Sequence, residues 1–332
     1  MIGARSGGRL CCAAALLALA GGAFAQPAAK GPAAAYPAKP IRLIVPFVPG
    51  AGTDITGRTI ARKLSERWGH QVVVDNRTGA AGAIGVEITA QATPDGYTIC
   101  LISASHTVNA ATNPKLPYDL TKNLQAITQA TSLFYVLAVN PSVPAKSVTE
   151  LIAHAKANPG KLNFGSSGTG GLQHFAGEML AHMAGIKIVH VPFKGGAASI
   201  TSAIAGETQI AISTLLGVRP HMTAGRLRVL AVSAGKRSPA APELPTIAEA
   251  GVPGYEVDQW YGIITSAKVP TAIVKKLSAA IAEAVQSPEV KQRLSADGST
   301  PVGTTPEQFS AHIKSEIAKW RKLVKDAGLQ LH

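Results

Sequence analysis

Cysteine, aromatic rings and acidic side chains are all scarce in this chain of 332 residues, and each scarcity removes something. Of three cysteines, Cys11 and Cys12 lie at the very start of the first apolar run, within the first 25 residues, and Cys100 lies inside the stretch YTICLIS. One remaining cysteine cannot close an internal bridge, so Cys100 is expected to be a buried packing residue. No His-x-x-x-His or Cys/His cluster of metal spacing occurs. Aromatics make up 5% of the chain, and Lys and Arg outnumber Asp and Glu 32 to 19. The basic residues are scattered with no basic block, which argues against nucleic acid as a partner and leaves attraction of small anions as a use for the charge. After the first 25 residues no apolar run approaches the roughly 20 residues that span a bilayer.

Those first residues read as a secretory leader. Arg5 and Arg9 form a basic start, Leu10 to Ala20 is apolar, and Ala23-Phe24-Ala25 supplies a cleavage signal ahead of Gln26. Cleavage after Ala25 would remove both arginines and lower the formal net charge from +13 to +11. The mature protein is expected to be exported and periplasmic. Residues 26–40 (QPAAKGPAAAYPAKP) form a lead-in without periodicity, expected to be mobile.

The chain is organised around Ile41 to Arg58. An apolar, β-branched run (IRLIVPF) stops at VPGAGTD, and a helical pattern follows. Gly50 and Gly52 permit a sharp bend and close approach of a ligand, and a helix start offers free N–H groups and partial positive charge. The rhythm continues with a strand in QVVVDNR, a Gly/Ala-rich turn over Thr78 to Gly85, a helix over Ala83 to Ala92 and a strand over Tyr97 to Ser103. Alternation of this kind predicts a parallel sheet with helices on its faces. Further strands are predicted at Leu133–Asn140, Leu162–Phe164, Lys187–Phe193, Thr208–Ser213 and Arg226–Ser233. Ser147 and Glu150 form a capping box, in which each side chain satisfies an N–H at the helix start. Three helices close the chain, after Pro270, at Ser287-Pro288 and at Thr305-Pro306. Gln125–Asn140 and Tyr255–Thr265 are long and extended, and are expected to cross between two α/β domains. The domains would comprise residues 41–129 with 256–332, and residues 130–255.

Three loops after predicted strands are expected to meet at one cleft: Val48 to Asp54, Ser103 to Thr107 and Gly165 to Gly171. Enzyme motifs fail on spacing. A P-loop lacks its Lys, since Gly165 leads to Gly170-Gly171, and a G-x-S-x-G elbow from Gly165 is one residue out of register. His174, Asp75 and Ser167 form no triad by spacing. A dinucleotide site is imitated by Gly50-Ala51-Gly52 with Asp75 about 20 residues on, but its third glycine falls at Ile55. Asp54 reads either as a first-turn acid complementing the helix dipole or as a ligand contact. Trp260 and Tyr261 read equally as cleft lining or core.

The chain resembles the substrate-binding receptors of tripartite tricarboxylate transporters, the TctC-like or Bug family. The resemblance covers nearly all of the mature sequence. Its markers are PFVPGAGTD (46–54), VVVDNRTGAAG (72–82), PDGYT (94–98), NFGSSGTGGLQH (163–174), VPFKGG (191–196), LRVLAVS (227–233), LPTIAEAGVPGYE (244–256) and TPEQF (305–309). It implies a type II periplasmic-binding-protein fold, two α/β domains joined by crossing strands around a ligand cleft. It also implies capture of a small di- or tricarboxylate, amino acid or aromatic acid, without catalysis or cofactor. Delivery would be to the membrane permease of such a transporter, by a monomeric receptor; a ligand sensor with a signalling partner is the alternative. Mapped here, the resemblance implicates Phe47, Gly50, Gly52 and Asp54, with Ser103 and Ser105 nearby, and Ser166, Ser167 and Thr169 from the other domain. Ser213 and Thr214 stand where acid or amide side chains are common near the ligand. Further departures are Ala51, Thr78 and Gln209.

Overall fold

The computed structural model describes residues 36–50, 52–295 and 298–327. The leader, residues 26–35 of the lead-in and Ala51 lie outside them. The first half of the chain gives β1 (Ile41–Val45), α1 (Gly52–Trp68), β2 (Val72–Asn76), α2 (Ala83–Ala90), β3 (Thr98–Ser103), α3 (Ala104–Thr112) and β4 (Leu124–Val139). The middle gives α4 (Val148–Ala157), β5 (Asn163–Ser166), α5 (Leu172–Ala184), β6 (Val189–Pro192), α6 (Gly196–Ala205), β7 (Ile210–Thr214), α7 (Leu215–Thr223) and β8 (Arg228–Val232). The chain closes with β9 (Asp258–Ser266), α8 (Thr271–Gln286), α9 (Pro288–Ser295), β10 (Thr300–Pro301) and α10 (Pro306–Ala327).

Among the described residues the strands run β2-β1-β3-β9-β4-β7-β5-β6, with β8 and β10 also on β4. The expected parallel sheet is present as β2-β1-β3 and again as β7-β5-β6. It is interrupted by antiparallel β4 and β9, the two extended segments expected to cross. Leu124 to Phe134 of β4 pairs with β9, and Tyr135 to Val139 pairs with β7 on one side and β8 on the other. One strand of 16 residues therefore belongs to both lobes. Where these two crossing strands lie side by side, the lobes meet.

Helix starts follow their sequence signals with local differences. Ser147 Oγ accepts from Glu150 N–H, but the Glu150 carboxylate reaches past the cap to the Lys146 N–H. Thr305 and Gln308 make the reciprocal pair in full. Ser287 precedes Pro288 as expected, yet its hydroxyl turns back to the Ala284 carbonyl and ends α8. Ser103–Thr107, expected to be a loop, is instead the N-cap and first turn of α3. The end of the lead-in is not free. Tyr36 is buried, donates to the Gly96 carbonyl and packs against Tyr97 and Trp68.

Burial follows the layers. Leu43, Ile60, Leu101, Ile263 and Ile281 form one core beneath α1 and α8, and Cys100 lies fully buried in another with Phe164, Trp260 and Trp320. Burial pushes the Cys100 thiol up to about 12, so it is an inert packing group. Trp260 packs edge-on to Phe309 of α10 and is core, whereas its neighbour Tyr261 faces the cleft. The last helices return to the first lobe, with Glu283 of α8 pairing with Arg67 and Glu289 of α9 with Arg62 and Lys63.

Candidate ligand-binding site

Sequence placed glycine and small hydroxyl residues at the ends of strands, and the fold gathers those ends at one cavity of about 130 Å³. Five helices begin at its wall. Gly52 and Thr53 open α1, Ser103 and Ser105 open α3, Gln173 lies in the first turn of α5, Gly196 opens α6 and Thr214 caps α7. The first N–H groups of a helix have no partner within it, and aligned peptide dipoles add about half a positive charge there. The described lining contains no Asp, Glu, Lys or Arg side chain. Such a cavity attracts an anion through neutral donors and offers no full countercharge.

The bend before α1 is built for close approach. Gly50 has φ +82°, a left-handed conformation that a side chain would strain. A β-carbon on Gly52 would lie 2.9 Å from the Tyr261 hydroxyl, so a larger residue there would push Tyr261 aside. Asp54 holds this loop from behind. Its carboxylate accepts from Gly50 N–H and Arg58 Nε at 2.9 Å, and from Asn76 Nδ2 at 2.9 Å. Asn76 also donates to the Phe47 carbonyl at 3.0 Å. Burial alone would raise the Asp54 pKa, but the bonds from Arg58, Gly50 and Asn76 outweigh it and hold the group below the ordinary carboxylate range. Asp54 does not line the cavity, and both of its oxygens are occupied by the protein itself.

Gln259 is the central brace. Its Oε1 accepts from Ala104 N–H at 3.1 Å, fixing the start of α3, and its Nε2 donates to the Tyr135 hydroxyl at 2.7 Å. Gln259 and Tyr135 belong to the two crossing strands, so the brace lies where the lobes join. Gln173 Nε2 donates to Ser213 Oγ at 3.2 Å.

Of the residues expected at the site, Phe47, Gly50, Gly52, Ser103, Ser105, Ser167 and Ser213 line the cavity. Asp54, Ser166 and Thr169 do not. Ser166 is fully buried, accepts from Gly168 N–H at 3.1 Å and lies 2.6 Å from His190 Nε2, so it shapes the loop from within. Thr169 is exposed. Sequence reasoning missed Gln259, Tyr135 and Gln173. Gln209 lies elsewhere, joining Asn163 N–H to the Gly206 carbonyl. The dinucleotide imitation also dissolves, because Asp75 is held by Arg42 and Arg77.

Two α/β lobes on shared crossing strands, with a small donor-lined cavity between them, define a solute-binding protein of the periplasmic-binding fold. Residues 56–329 match the family described as tripartite tricarboxylate transporter family receptor. BugT of Bordetella pertussis is 35% identical over 320 residues, covering 95% of this chain and 98% of BugT. A solved R. palustris protein with adipate has a TM-score of 0.85 at 35% identity, over 88% of this chain and 98% of that one. MatC from Rhodopseudomonas palustris, with bound malate, has a TM-score of 0.81 at 26% identity, over 87% and 100%. This chain belongs to the tripartite tricarboxylate transporter receptor family, whose members are periplasmic solute-binding receptors.

Proposed function

We propose that this receptor captures a small organic acid by one carboxylate in the cavity where the five helices begin, and hands it to the membrane permease of a tripartite transporter. The observation that carries the reading is that wall of helix starts without a charged side chain. Hydrogen bonds to a charged group are worth about 1.5–3 kcal/mol each, so a few account for micromolar capture, about 8 kcal/mol in all. Phe47, Gly50, Gly52, Ser103, Ser105, Ser167 and Ser213 form the contact set, and Asp54 and Ser166 hold its loops. The binding of adipate and malate by relatives of known structure supports a carboxylate as the cargo. The lobes are residues 41–129 with 256–332, and 130–255, a division favoured by the change of partners along β4 between Phe134 and Tyr135. The leader is removed after Ala25, and the captured acid leaves unchanged.

The test is calorimetric titration of residues 26–332 with adipate, malate, citrate and aspartate, repeated on Gly52→Ala. Binding of at least one acid, weakened about tenfold by displacement of Tyr261, is the expected result. Binding of none, or the same affinity in the variant, would overturn the reading.

A further inference from the structure

The cavity at the helix starts is small, and a contact between the lobes is what limits it. Sites for small molecules occupy about 300–1,000 Å³, whereas this one has about 130 Å³. A neighbouring chamber of about 480 Å³ lies against it, and Phe47, Val48, Ser167 and Gly195 line both spaces. Two of these four meet at the boundary. Val48 follows β1 of one lobe and Gly195 precedes α6 of the other. A β-carbon on Gly195 would lie 3.3 Å from Val48 Cγ2, so the isopropyl group already packs on bare glycine backbone. Gly195 has φ +106°, a conformation that a side chain would strain, and the wall closes there by backbone alone.

Both halves of this partition are pinned. Beside Val48, the Phe47 carbonyl accepts from Asn76 Nδ2 at 3.0 Å, and the Gly50 N–H donates to Asp54 at 2.9 Å. Across from it, the Gly195 N–H donates to the Ser167 carbonyl at 3.3 Å and the Phe193 N–H to the Ser166 carbonyl at 3.0 Å. Neither backbone can swing aside without breaking these bonds. A ligand too long for the inner cavity must therefore displace the isopropyl group or part the lobes. Beyond the partition lie Pro46, Phe47 and Phe193, apolar groups that would accept a hydrocarbon chain. Shape bars the way there, not chemistry.

We propose that Val48 sets the length of acid this receptor accepts: packed on Gly195, it ends the site at short acids and keeps longer ones out of the apolar space behind. The inference rests on carboxylate capture in the inner cavity. A water takes about 30 Å³ of liquid, and a methylene or carboxylate group roughly the same, so the cavity suits an acid of about four carbons. Two more methylenes would overpack it.

Calorimetry on residues 26–332 tests this, with butyrate and succinate as short acids and hexanoate and adipate as their longer counterparts. In the wild type each short acid is expected to bind about tenfold or more tighter than its counterpart. Val48→Ala, which removes the two methyl groups from the partition, should strengthen the long acids about tenfold and leave the short ones within about threefold. Long acids bound by the wild type as tightly as short ones, or a gap that Val48→Ala leaves unchanged, would overturn the length limit while leaving carboxylate capture standing. If none of the four acids bound either protein, both readings would fall.

Discussion

Ser105 Oγ, in the first turn of α3, accepts a hydrogen bond of 3.1 Å from the backbone N–H of Leu172, the first residue of α5. α3 follows β3 of one lobe and α5 follows β5 of the other, so this bond latches the lobes at the edge of the cavity. Both residues are buried. A ligand that touches both helix starts would favour the same closed arrangement, and the latch lowers the cost of reaching it.

Ser105→Ala should therefore loosen closure. A single hydrogen bond contributes about 0.5–1.5 kcal/mol, which predicts a loss of about two- to twelvefold in ligand affinity. Small-angle scattering should show a larger radius of gyration for the variant than for the wild type without ligand, and equal radii at saturation. Matching curves in both conditions would mean that the bond does not hold the lobes together.

Much of this site was legible because its parts carry local signals. Gly50 and Gly52 after an apolar run, and Ser103 at the end of another, mark strand ends from sequence alone. The residues that were not legible sit where no local pattern distinguishes them. Gln259 and Tyr135 lie inside long extended segments, and only the pairing of β4 with β9 brings them together. Gln173 looks like any polar residue near a helix start. The helix α3 was missed because SASHTVNAAT is rich in Ser, Thr and Asn, which favour turns when considered without their neighbours. Its first turn is instead fixed by Gln259, 155 residues away. Asp54 and Ser166 were implicated through the family resemblance, Asp54 with a helix-start role left open beside it, and a shared motif places a residue near a loop without saying which side of the loop its atoms occupy.

Asp54 gives a sharper test of that last point. Asp54→Ala would leave the Gly50 and Asn76 donors without their acceptor, at a cost of about 1–3 kcal/mol, and would free the loop that shapes the cavity. A lower melting temperature and weaker carboxylate binding are expected together. Asp54→Asn should lose less of both, since an amide oxygen can still accept from one of these donors. If Asp54→Asn instead bound carboxylates more tightly than wild type, relief of repulsion would place this side chain against the ligand.

His106 adds a dependence on pH that is independent of any ligand. It is fully buried beside Phe47, and its Nδ1 accepts from the Ser103 N–H at 3.0 Å. Burial pulls its pKa down to about 4, although the backbone contacts of Ser103 and Gly82 oppose the shift. The unfolded chain, with a pKa near 6.5, takes up its proton first. The contribution of neutral His106 to stability is thus complete above about pH 6.5 and is lost as pH falls toward 4, reaching about 3 kcal/mol. His190, half-buried and stacked on His174, is also drawn down to about 4 by burial and has the same sign. Asp258 has the opposite one: burial and then Glu256 raise its pKa to about 6, so its protonated form stabilises the fold at low pH and that gain is lost as pH rises through about 6. Urea unfolding of wild type and His106→Gln at pH 7.5, 6 and 4.5 separates these contributions. The variant should start lower at pH 7.5, where it lacks the native packing, yet lose less stability between pH 6 and 4.5 than wild type. Parallel losses in the two proteins would mean that His106 is not protonated on unfolding in this range.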